Sequence, residues 1–432
     1  KKMGSDSIYR LKGGAVPSPL SPPTENKSSL TPFSPVLGIA VLVFLTMLPV
    51  TGLVPVLKSW VQDRYALSPF ATHLFMAVNM VAAAAVAPLV GAWSDRLGRR
   101  RALIAAAAVL DGALFVAFSW APTYGTLLAL RFAEGAAHIT VLSLLLAEGS
   151  ARIAGRESAS MGVLGGALTL GVALGAPLGG ALGQRGFVPV LSVGAGVMAV
   201  VAVGACVWVA ERGAAHWSCP TMGDIGRLIR SNGALRLPLF FAFVERLAAG
   251  FFIASFPLFC AVAWGMGPQT IGLLMAAYML PMAACCVPAM RLARWWPARG
   301  MLQWGGLIYG ALFAGIGVVG QAWLFPWMVL CGVVSAAMFV PTLVLVSREA
   351  PAAVKGAAMG AFNAVGSLGF VVGPVLSGAV AGLAAASLQT EGAYVAVFAV
   401  GGALVCAAAL GSLVIERFPR RASVSAVLLR HS

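Results

Sequence analysis

Five charged side chains lie inside long apolar stretches of the sequence, where a charge is unfavourable. They are three carboxylates and two arginines: Asp111, Arg131, Glu134, Glu245 and Arg246. A charge at the centre of a membrane helix costs about 2.5–3.5 kcal/mol and marks a functional position by default. A carboxylate beside an arginine can form an ion pair, or can bind and release a proton when its access to water changes. These residue types therefore indicate ion pairing and proton binding in apolar surroundings.

Two of these charges flank a predicted helical hairpin. Asp111 and Arg131 lie about ten residues before and after the turn at Ala121 and Pro122, so a rise of about 1.5 Å per residue puts both at a similar depth. We predict that Asp111 and Arg131 pair across this hairpin; the alternative is that such a pair serves membrane insertion alone. On the second helix, Arg131, Glu134 and His138 recur at i, i+3 and i+7 and share one face, which we expect to line a cavity.

Glu245 and Arg246 are adjacent in the sequence and are therefore not expected to form an ion pair with each other. Neighbouring residues of a helix point about 100° apart, so each side chain must find its partner on another helix or in water. Glu245 lies about 13 Å from the start of its predicted helix, close to the depth expected for Arg131.

The elements that carry these residues are predicted to be transmembrane helices. The chain has 432 residues, of which 60% are hydrophobic and 10% charged, whereas soluble domains carry about 25% charged residues. A bilayer core of about 30 Å takes roughly 20 apolar residues per helix. We predict an all-α polytopic membrane protein with twelve spans: Phe33 to Leu57, Phe70 to Trp93, Ala102 to Trp120, Thr123 to Ala147, Ala159 to Gly183, Phe187 to Ala210, Leu237 to Val262, Pro268 to Met290, Met301 to Gly320, Trp323 to Val346, Ala357 to Gly382 and Gly392 to Ile415.

The spans divide six and six around a polar linker. We predict a disordered cytoplasmic tail over residues 1–32, a six-helix bundle over 33–210, a cytoplasmic linker over 211–236, a second bundle over 237–415 and a cytoplasmic tail over 416–432. All but five of the 29 Lys and Arg residues fall on the side of the N-terminus. Since cytoplasmic loops keep positive charge, both termini are expected in the cytoplasm, with the helices crossing the cell membrane.

Composition and spacing exclude several classes of protein. The net charge of +15 is spread over many segments, so we expect no nucleic-acid partner. The seven cysteines and four histidines show no metal-ligand spacing, and we expect neither a metal nor a cofactor. The sequence contains no nucleophile elbow and no nucleotide loop. We therefore do not expect an enzyme.

An internal repeat links the two halves. The stretch MGVLGGALTLGVALGAPLGGAL from Met161 aligns without a gap with MGAFNAVGSLGFVVGPVLSGAV from Met359, at an offset of 198 and with eight of 22 positions identical. These are the fifth and eleventh predicted helices, which run in the same direction within their halves. The halves are therefore predicted to form a parallel repeat in which glycines allow close helix packing.

Three motifs resemble those of the major facilitator superfamily, and in particular its proton-linked drug exporters. The charged loop GAWSDRLGRRR has the family pattern Gly-x-x-x-Asp-Arg-x-Gly-Arg-Arg, which places Gly91, Asp95, Arg96, Gly98, Arg99 and Arg100. RFAEGAA is similar to the Arg-x-x-x-Gly element of the fourth helix, with Arg131 and Gly135. GVALGAPLGG is similar to the exporters' fifth-helix motif, with Gly171, Gly175, Gly179, Gly180 and, one residue late, Pro177.

The resemblance implies two pseudo-symmetric bundles with a central cavity lined by helices one, four, seven and ten. It also implies that the charged loop holds the halves together on the cytoplasmic side, with Asp95 near the start of helix eleven at Lys355; the alternative is that this loop only sets topology. In that fold Glu134 and Glu245 lie on opposing halves. We hypothesise that Glu245, helped by Glu134, carries a coupling proton while Arg131 and Arg246 set its affinity. The alternative is a fixed pair between Glu245 and Arg131.

The function implied by the resemblance is secondary active transport of a small molecule by a monomer in the lipid bilayer. The fifth-helix motif favours proton-coupled efflux. Two alternatives stay open, namely a proton-coupled uptake symporter or facilitator for a small metabolite, and a receptor of the same fold that does not transport.

Overall fold

A computed structural model describes residues 34–97, 99–150, 157–210, 230, 232–350 and 355–417, and all regular structure within these ranges is helical. The α-helices are α1 Ser34–Gly52, α2 Pro69–Leu97, α3 Arg100–Phe118, α4 Tyr124–Ser150, α5 Glu157–Gly183, α6 Phe187–Trp208, α7 Arg236–Trp264, α8 Pro268–Trp295, α9 Ala298–Gly315, α10 Gln321–Glu349, α11 Lys355–Ala385 and α12 Thr390–Arg417. Short 3₁₀ turns over Val54–Val56 and Gly233–Leu235 and a π-helical turn over Lys58–Asp63 complete the described elements.

The predicted all-α membrane fold is confirmed. Within the described ranges, eleven helices are long and apolar enough to cross a membrane, and the helix outside this group is α9, whose 18 residues begin with Ala298 and Arg299. Several helices run a few residues past their predicted spans. For example, α10 continues to Glu349 and α12 to Arg417, because charged residues can extend a helix beyond the hydrocarbon core into the interface.

Glycine and proline set helix boundaries at the predicted outer end, the end away from the start of α1. Gly265 has φ 58°, a left-handed conformation that closes α7, and Pro268 then occupies the first turn of α8. Gly186, with φ 99°, plays the matching part between α5 and α6. Tight connections of this kind make consecutive helices antiparallel neighbours.

The two halves pack their helices in the same pattern. In the first half α1 packs on α5, α2 on α4, and α3 on α6; in the second half α7 packs on α11, α8 on α10, and α9 on α12. This equivalence matches the repeat found in the sequence. Because each half buries its own helix faces, the first six helices and the last six each form a bundle.

The bundles meet along two helix pairs, α5 with α8 and α2 with α11. At the predicted outer end the largest hydrophobic core is shared, with Leu53 and Trp60 from the first half and Phe252 and Phe256 from the second. Towards the opposite, predicted inner end, each bundle has a separate core of its own described residues. The described halves are therefore joined at the predicted outer end and have independent cores at the inner end.

Several predictions fall outside the described residues. They include the tail over 1–32, most of the linker over 211–236, nearly all of the segment over 416–432, and Gly98. The helix α2 continues through Gly91, Asp95 and Arg96, but their side chains are likewise outside the described part.

Candidate functional site

A buried cluster of charges joins α2, α3 and α4 in the first bundle. Its five members, which we call the acid–histidine cluster, are Asn79, Asp111, Arg131, Glu134 and His138. The carboxylate of Glu134 accepts a hydrogen bond from Arg131 Nη1 at 2.7 Å and another from Asn79 Nδ2 at 2.6 Å. His138 Nδ1 lies 3.3 Å from Asp111 Oδ2.

The predicted ion pair between Asp111 and Arg131 is wrong. Arg131 instead binds Glu134, one turn further along the same helix, and stacks over the Phe75 ring at 4.9 Å. Asp111 binds His138. The prediction assumed that residues equally far from the turn on α3 and α4 lie opposite each other. In the structure Asp111 instead lies opposite His138, which is further from the turn along α4 than Arg131. The predicted shared face of Arg131, Glu134 and His138 is present, but it is packed inside the bundle, with Arg131 and Glu134 fully buried and His138 only 7% exposed.

Gly135 explains how Asn79 reaches this cluster. A Cβ at position 135 would lie 2.6 Å from the carbonyl oxygen of Asn79, so only glycine allows α2 to approach α4 so closely. The Arg131 and Gly135 pair singled out in the sequence therefore has a physical basis. Gly135 makes the space in which Asn79 helps Arg131 to hold Glu134.

The cluster retains unused hydrogen-bonding capacity. Asp111 Oδ1, Glu134 Oε1, His138 Nε2 and Arg131 Nη2 are buried without a partner. Ligand atoms of Asp111, Glu134 and His138 lie within 4.8 Å of one another, which would suit a metal ion by position. Arg131 is bonded to one of these carboxylates and would oppose a divalent cation. Two carboxylates and one arginine therefore share this buried site.

Glu245 occupies the second bundle without a cationic partner. Its Oε1 accepts a hydrogen bond from Thr342 Oγ1 of α10 at 2.5 Å, and its Oε2 is buried without a partner. Arg246 does not bind Glu245, as their spacing on one helix predicts. The alternative of a fixed Glu245–Arg131 pair is excluded by these contacts, because Arg131 is bonded to Glu134 in the other bundle.

Arg246 lies between α7 and α11. Its guanidinium stacks over the Phe362 ring at 4.6 Å, and a Cβ at Gly366 would lie 2.5 Å from its Cδ. Nη1 is buried without a hydrogen-bond partner, and no described carboxylate pairs with this arginine. The side chain is part-exposed, as are Phe243 and Ile253 on the same face of α7.

A neutral polar network lies close to Glu245. Tyr278 Oη of α8 is 3.0 Å from Tyr309 Oη of α9 and donates to Ser335 Oγ of α10 at 3.1 Å. Sequence analysis missed this network, together with Asn79 and Thr342. The available signal was their polarity within apolar spans, but single hydroxyls and amides are common in membrane helices and do not reveal their partners.

The helix-five glycines pack against two different helices. Gly171, Gly175 and Gly179 face α1, where a Cβ at Gly171 would lie 2.5 Å from the carbonyl oxygen of Phe44. Gly180 instead faces Pro268 of the other bundle, and Pro177 lies against Gly272 of α8. The repeat partners on α11 behave alike, since Gly369 and Gly373 face α7 and Gly378 faces His73 of α2.

The charged loop is only partly described. Arg99 is exposed immediately before α3, and Arg100 is buried in the first turn of that helix. The contact of Asp95 with the start of α11 lies outside the described side chains and stays a prediction.

Comparisons with known proteins agree with this architecture. The family model described as Major Facilitator Superfamily matches residues 39–374 and again 238–429. The chain belongs to the major facilitator superfamily. No curated protein matches the sequence.

Solved structures of transporters share the fold. The nucleoside transporter NupG aligns with a TM-score of 0.75 at 13% identity, covering 89% of this chain and 100% of its own. A bacterial homologue of the human lysosomal transporter Spinster, solved inward-facing and unoccupied, aligns with a TM-score of 0.71 at 14% identity, covering 90% of this chain and 96% of its own. Family and fold together identify a membrane transporter rather than an enzyme. At such identities the likeness shows the fold alone, so the solute must be argued from this chain's residues.

Proposed function

We propose that this protein exports a small solute by alternating access in exchange for protons, and that Glu245 carries the coupling proton. The supporting observation is the Glu245 carboxylate, which is buried on α7, bonded only to a neutral hydroxyl and paired with no cation. A carboxylate in such surroundings is favoured in its protonated form until water reaches it. A change in access therefore drives proton uptake and release at this position.

Glu134 has a supporting part in this proposal. Arg131 and Asn79 both donate hydrogen bonds to the Glu134 carboxylate, so Glu134 has the partners that Glu245 lacks. The Asp111–His138 contact lies beside it in the same cluster. The efflux direction rests on the resemblance of the helix-five motif to that of the proton-linked drug exporters. Its glycines pack α5 against α1 and α8.

The test is Glu245→Gln in proteoliposomes, with a solute identified by thermal-shift screening of the purified protein. Glutamine keeps the hydrogen bond to Thr342 but cannot release a proton. We expect the variant to lose solute movement driven by a pH gradient while it keeps solute binding and gradient-free exchange. Glu349→Gln, at an ion pair with Arg299, is the matched control. A Glu245→Gln protein that still moves solute uphill on a pH gradient alone places the proton elsewhere, with Glu134 and Asp111 next.

Uptake by proton symport is the second candidate, favoured by the position of Arg246 next to Glu245. When Glu245 is neutral, the neighbouring arginine has no nearby negative charge, so an anionic solute would bind best together with the proton. Co-binding gives symport, whereas exchange requires proton and solute to compete. Solute affinity measured at about pH 6 and about pH 8 separates the two, because tighter binding at the lower pH supports symport.

A further inference from the structure

Arg246 is a membrane-embedded cation that forms no ion pair with a described carboxylate, since the adjacent Glu245 is bonded to Thr342 instead. It lies ten residues after Arg236, the first residue of α7, which corresponds to a depth of about 15 Å. The other cation at such depth, Arg131, is fully buried and bonded to Glu134. An arginine that faced hydrocarbon at this depth without a partner would be strongly unfavourable. This cost favours a part-exposed face that opens to the space between the bundles.

The surroundings of Arg246 are shaped to hold the guanidinium in place. The Phe362 ring lies beneath it at 4.6 Å and leaves the guanidinium edge free to donate hydrogen bonds. Gly366 supplies the room, because a Cβ there would lie 2.7 Å from both Nε and Nη1 of Arg246. Nη1 is nevertheless buried without an acceptor. The Arg246 guanidinium is therefore held in a fixed position, and its Nη1 has no hydrogen-bond acceptor among the described residues.

The neighbouring positions indicate what else the ligand contacts. Phe243, Ala249 and Ile253 continue the part-exposed face of α7 and are apolar. On α11, Asn363 and Ser367 are exposed within one turn of Phe362 and Gly366 and offer neutral hydrogen-bonding groups. A ligand matched to these positions has an apolar body and one acidic group.

We propose that Arg246, supported by Phe362 and Gly366, is the binding site for the acidic group of an amphipathic organic anion, a carboxylate or a sulfonate, in the cavity between the bundles. The proposal rests on the proposed function in that this cavity is the solute path. An anionic solute at Arg246 favours the symport candidate, and the comparison of solute affinity at about pH 6 and about pH 8 decides between symport and exchange. The proposal adds the chemical class of the solute, and it places the residue that binds the acidic group, Arg246, in the second bundle. A planar guanidinium suits this role because it bonds both oxygens of such a group at once.

The experiment measures binding to the purified full chain in detergent by calorimetry and by thermal shift, at constant ionic strength. The probes share one apolar body: 2-naphthoate and 2-naphthalenesulfonate, with neutral 2-naphthamide and cationic 2-naphthylmethylamine as matched controls. We expect at least one anion to bind and to raise the melting temperature, and the neutral and cationic analogues to have at least roughly tenfold lower affinity. Equal binding of the neutral amide, or no binding by either anion, overturns the proposal.

Two variants test the role of Arg246 itself. Arg246→Gln should weaken anion binding by at least roughly tenfold, whereas Arg291→Gln, at an exposed arginine near the end of α8, should leave it unchanged. Gly366→Ala keeps every charge and improves helix propensity, yet its methyl group displaces the guanidinium and should also weaken binding. Gly411→Ala, where a Cβ would meet nothing, is its control. Anion binding that survives both Arg246→Gln and Gly366→Ala overturns the assignment.

Two further outcomes separate the sources of failure. An anionic lipid presents the same chemistry, so phosphatidylglycerol in mixed micelles is a parallel probe; stabilisation by the lipid and by neither naphthyl anion overturns the solute site. Binding in detergent requires neither transport nor a proton gradient. Anion binding that depends on Arg246 in a protein that fails to transport would therefore contradict the proposed function and leave this inference standing.

Discussion

At the scale of single residues, the buried charges of the two bundles differ in how completely they are partnered. In the first bundle, Glu134 has both an arginine and an amide as donors. In the second bundle, Glu245 has one hydroxyl and Arg246 has one aromatic ring. A satisfied ion pair holds helices together, whereas a charge without a counter-charge responds to protons and ligands. We therefore propose that Glu134 stabilises the first bundle and that proton and solute exchange take place in the second.

Glu134→Gln is therefore expected to destabilise the protein by about 3 kcal/mol, because it leaves the Arg131 guanidinium buried without its carboxylate. The double variant Arg131→Met with Glu134→Gln should regain most of that loss, since it removes both charges together. Thermal and chemical denaturation of the purified variants measures both effects. If Glu134→Gln unfolds at the wild-type temperature, the ion pair has no structural role.

At the scale of helices, glycine decides which pairs of helices approach most closely. Gly175 and Gly179 bring α5 onto α1, and Gly373 brings α11 onto α7 in the same way. Five residues after Gly175 and Gly373, respectively, Gly180 and Gly378 face the opposite bundle. On both α5 and α11, one set of glycines therefore packs within the helix's own bundle. A further glycine packs against the other bundle, at the interface between the two bundles.

Replacing Gly175 or Gly179 by Leu should impair transport while leaving membrane topology unchanged. At both positions a side chain would overlap the α1 backbone or Thr51, so α5 must move away from α1. Transport assays with expression and topology controls measure the effect. Gly196→Leu on α6, where a Cβ meets nothing, is the comparison and should be tolerated. Full activity of both α5 variants would show that this contact is dispensable.

The charged loop between α2 and α3 belongs to the same scale. We predict that Asp95 stabilises the state in which the inner ends close, by facing an arginine or the positive start of α11. Asp95→Asn should preserve expression and insertion while reducing transport severely. Asp63→Asn, at the exposed Lys58 ion pair, is the control carboxylate. Normal transport by a well-inserted Asp95→Asn protein would limit the loop to a role in topology.

At the scale of the whole molecule, the described halves share a core at the predicted outer end and have separate cores at the inner end. A polar contact crosses the closed end where His73 Nε2 of α2 meets Ser255 Oγ of α7 at 2.9 Å, beside the ring of Tyr394. Gln184, in the turn after α5, and Gln269 of α8 form a second bridge. Alternating access requires these contacts to break together.

Ser255→Ala should shift the molecule towards outer opening by about fivefold, because it removes one buried hydrogen bond worth about 1 kcal/mol. Spin labels at Arg185 and Thr270, exposed positions of opposite bundles next to Gln184 and Gln269, would report longer distances in the variant. Ser387→Ala, at an exposed serine, should leave the distances unchanged. An unaltered distance distribution in Ser255→Ala would show that the His73 contact does not hold the closed end.

The sequence by itself determined the helical membrane fold, the parallel repeat and the identity of the charged residues within the spans. These features depend on local properties, namely the length of apolar runs, the six-plus-six division and the cost of burying charge. The equivalence of Gly171 with Gly369 and of Gly175 with Gly373 was readable because packing in lipid depends on residue size at fixed spacing.

Only the tertiary structure decided which charges meet. Asp111 pairs with His138 and not with Arg131 because the stagger of α3 against α4 depends on packing that no single helix encodes. The isolation of Arg246 is equally a property of its neighbours, since Phe362 and Gly366 lie more than a hundred residues away along the chain. Depth in the membrane follows from residue number, but rotation and stagger of one helix against another follow from the contacts of the whole bundle.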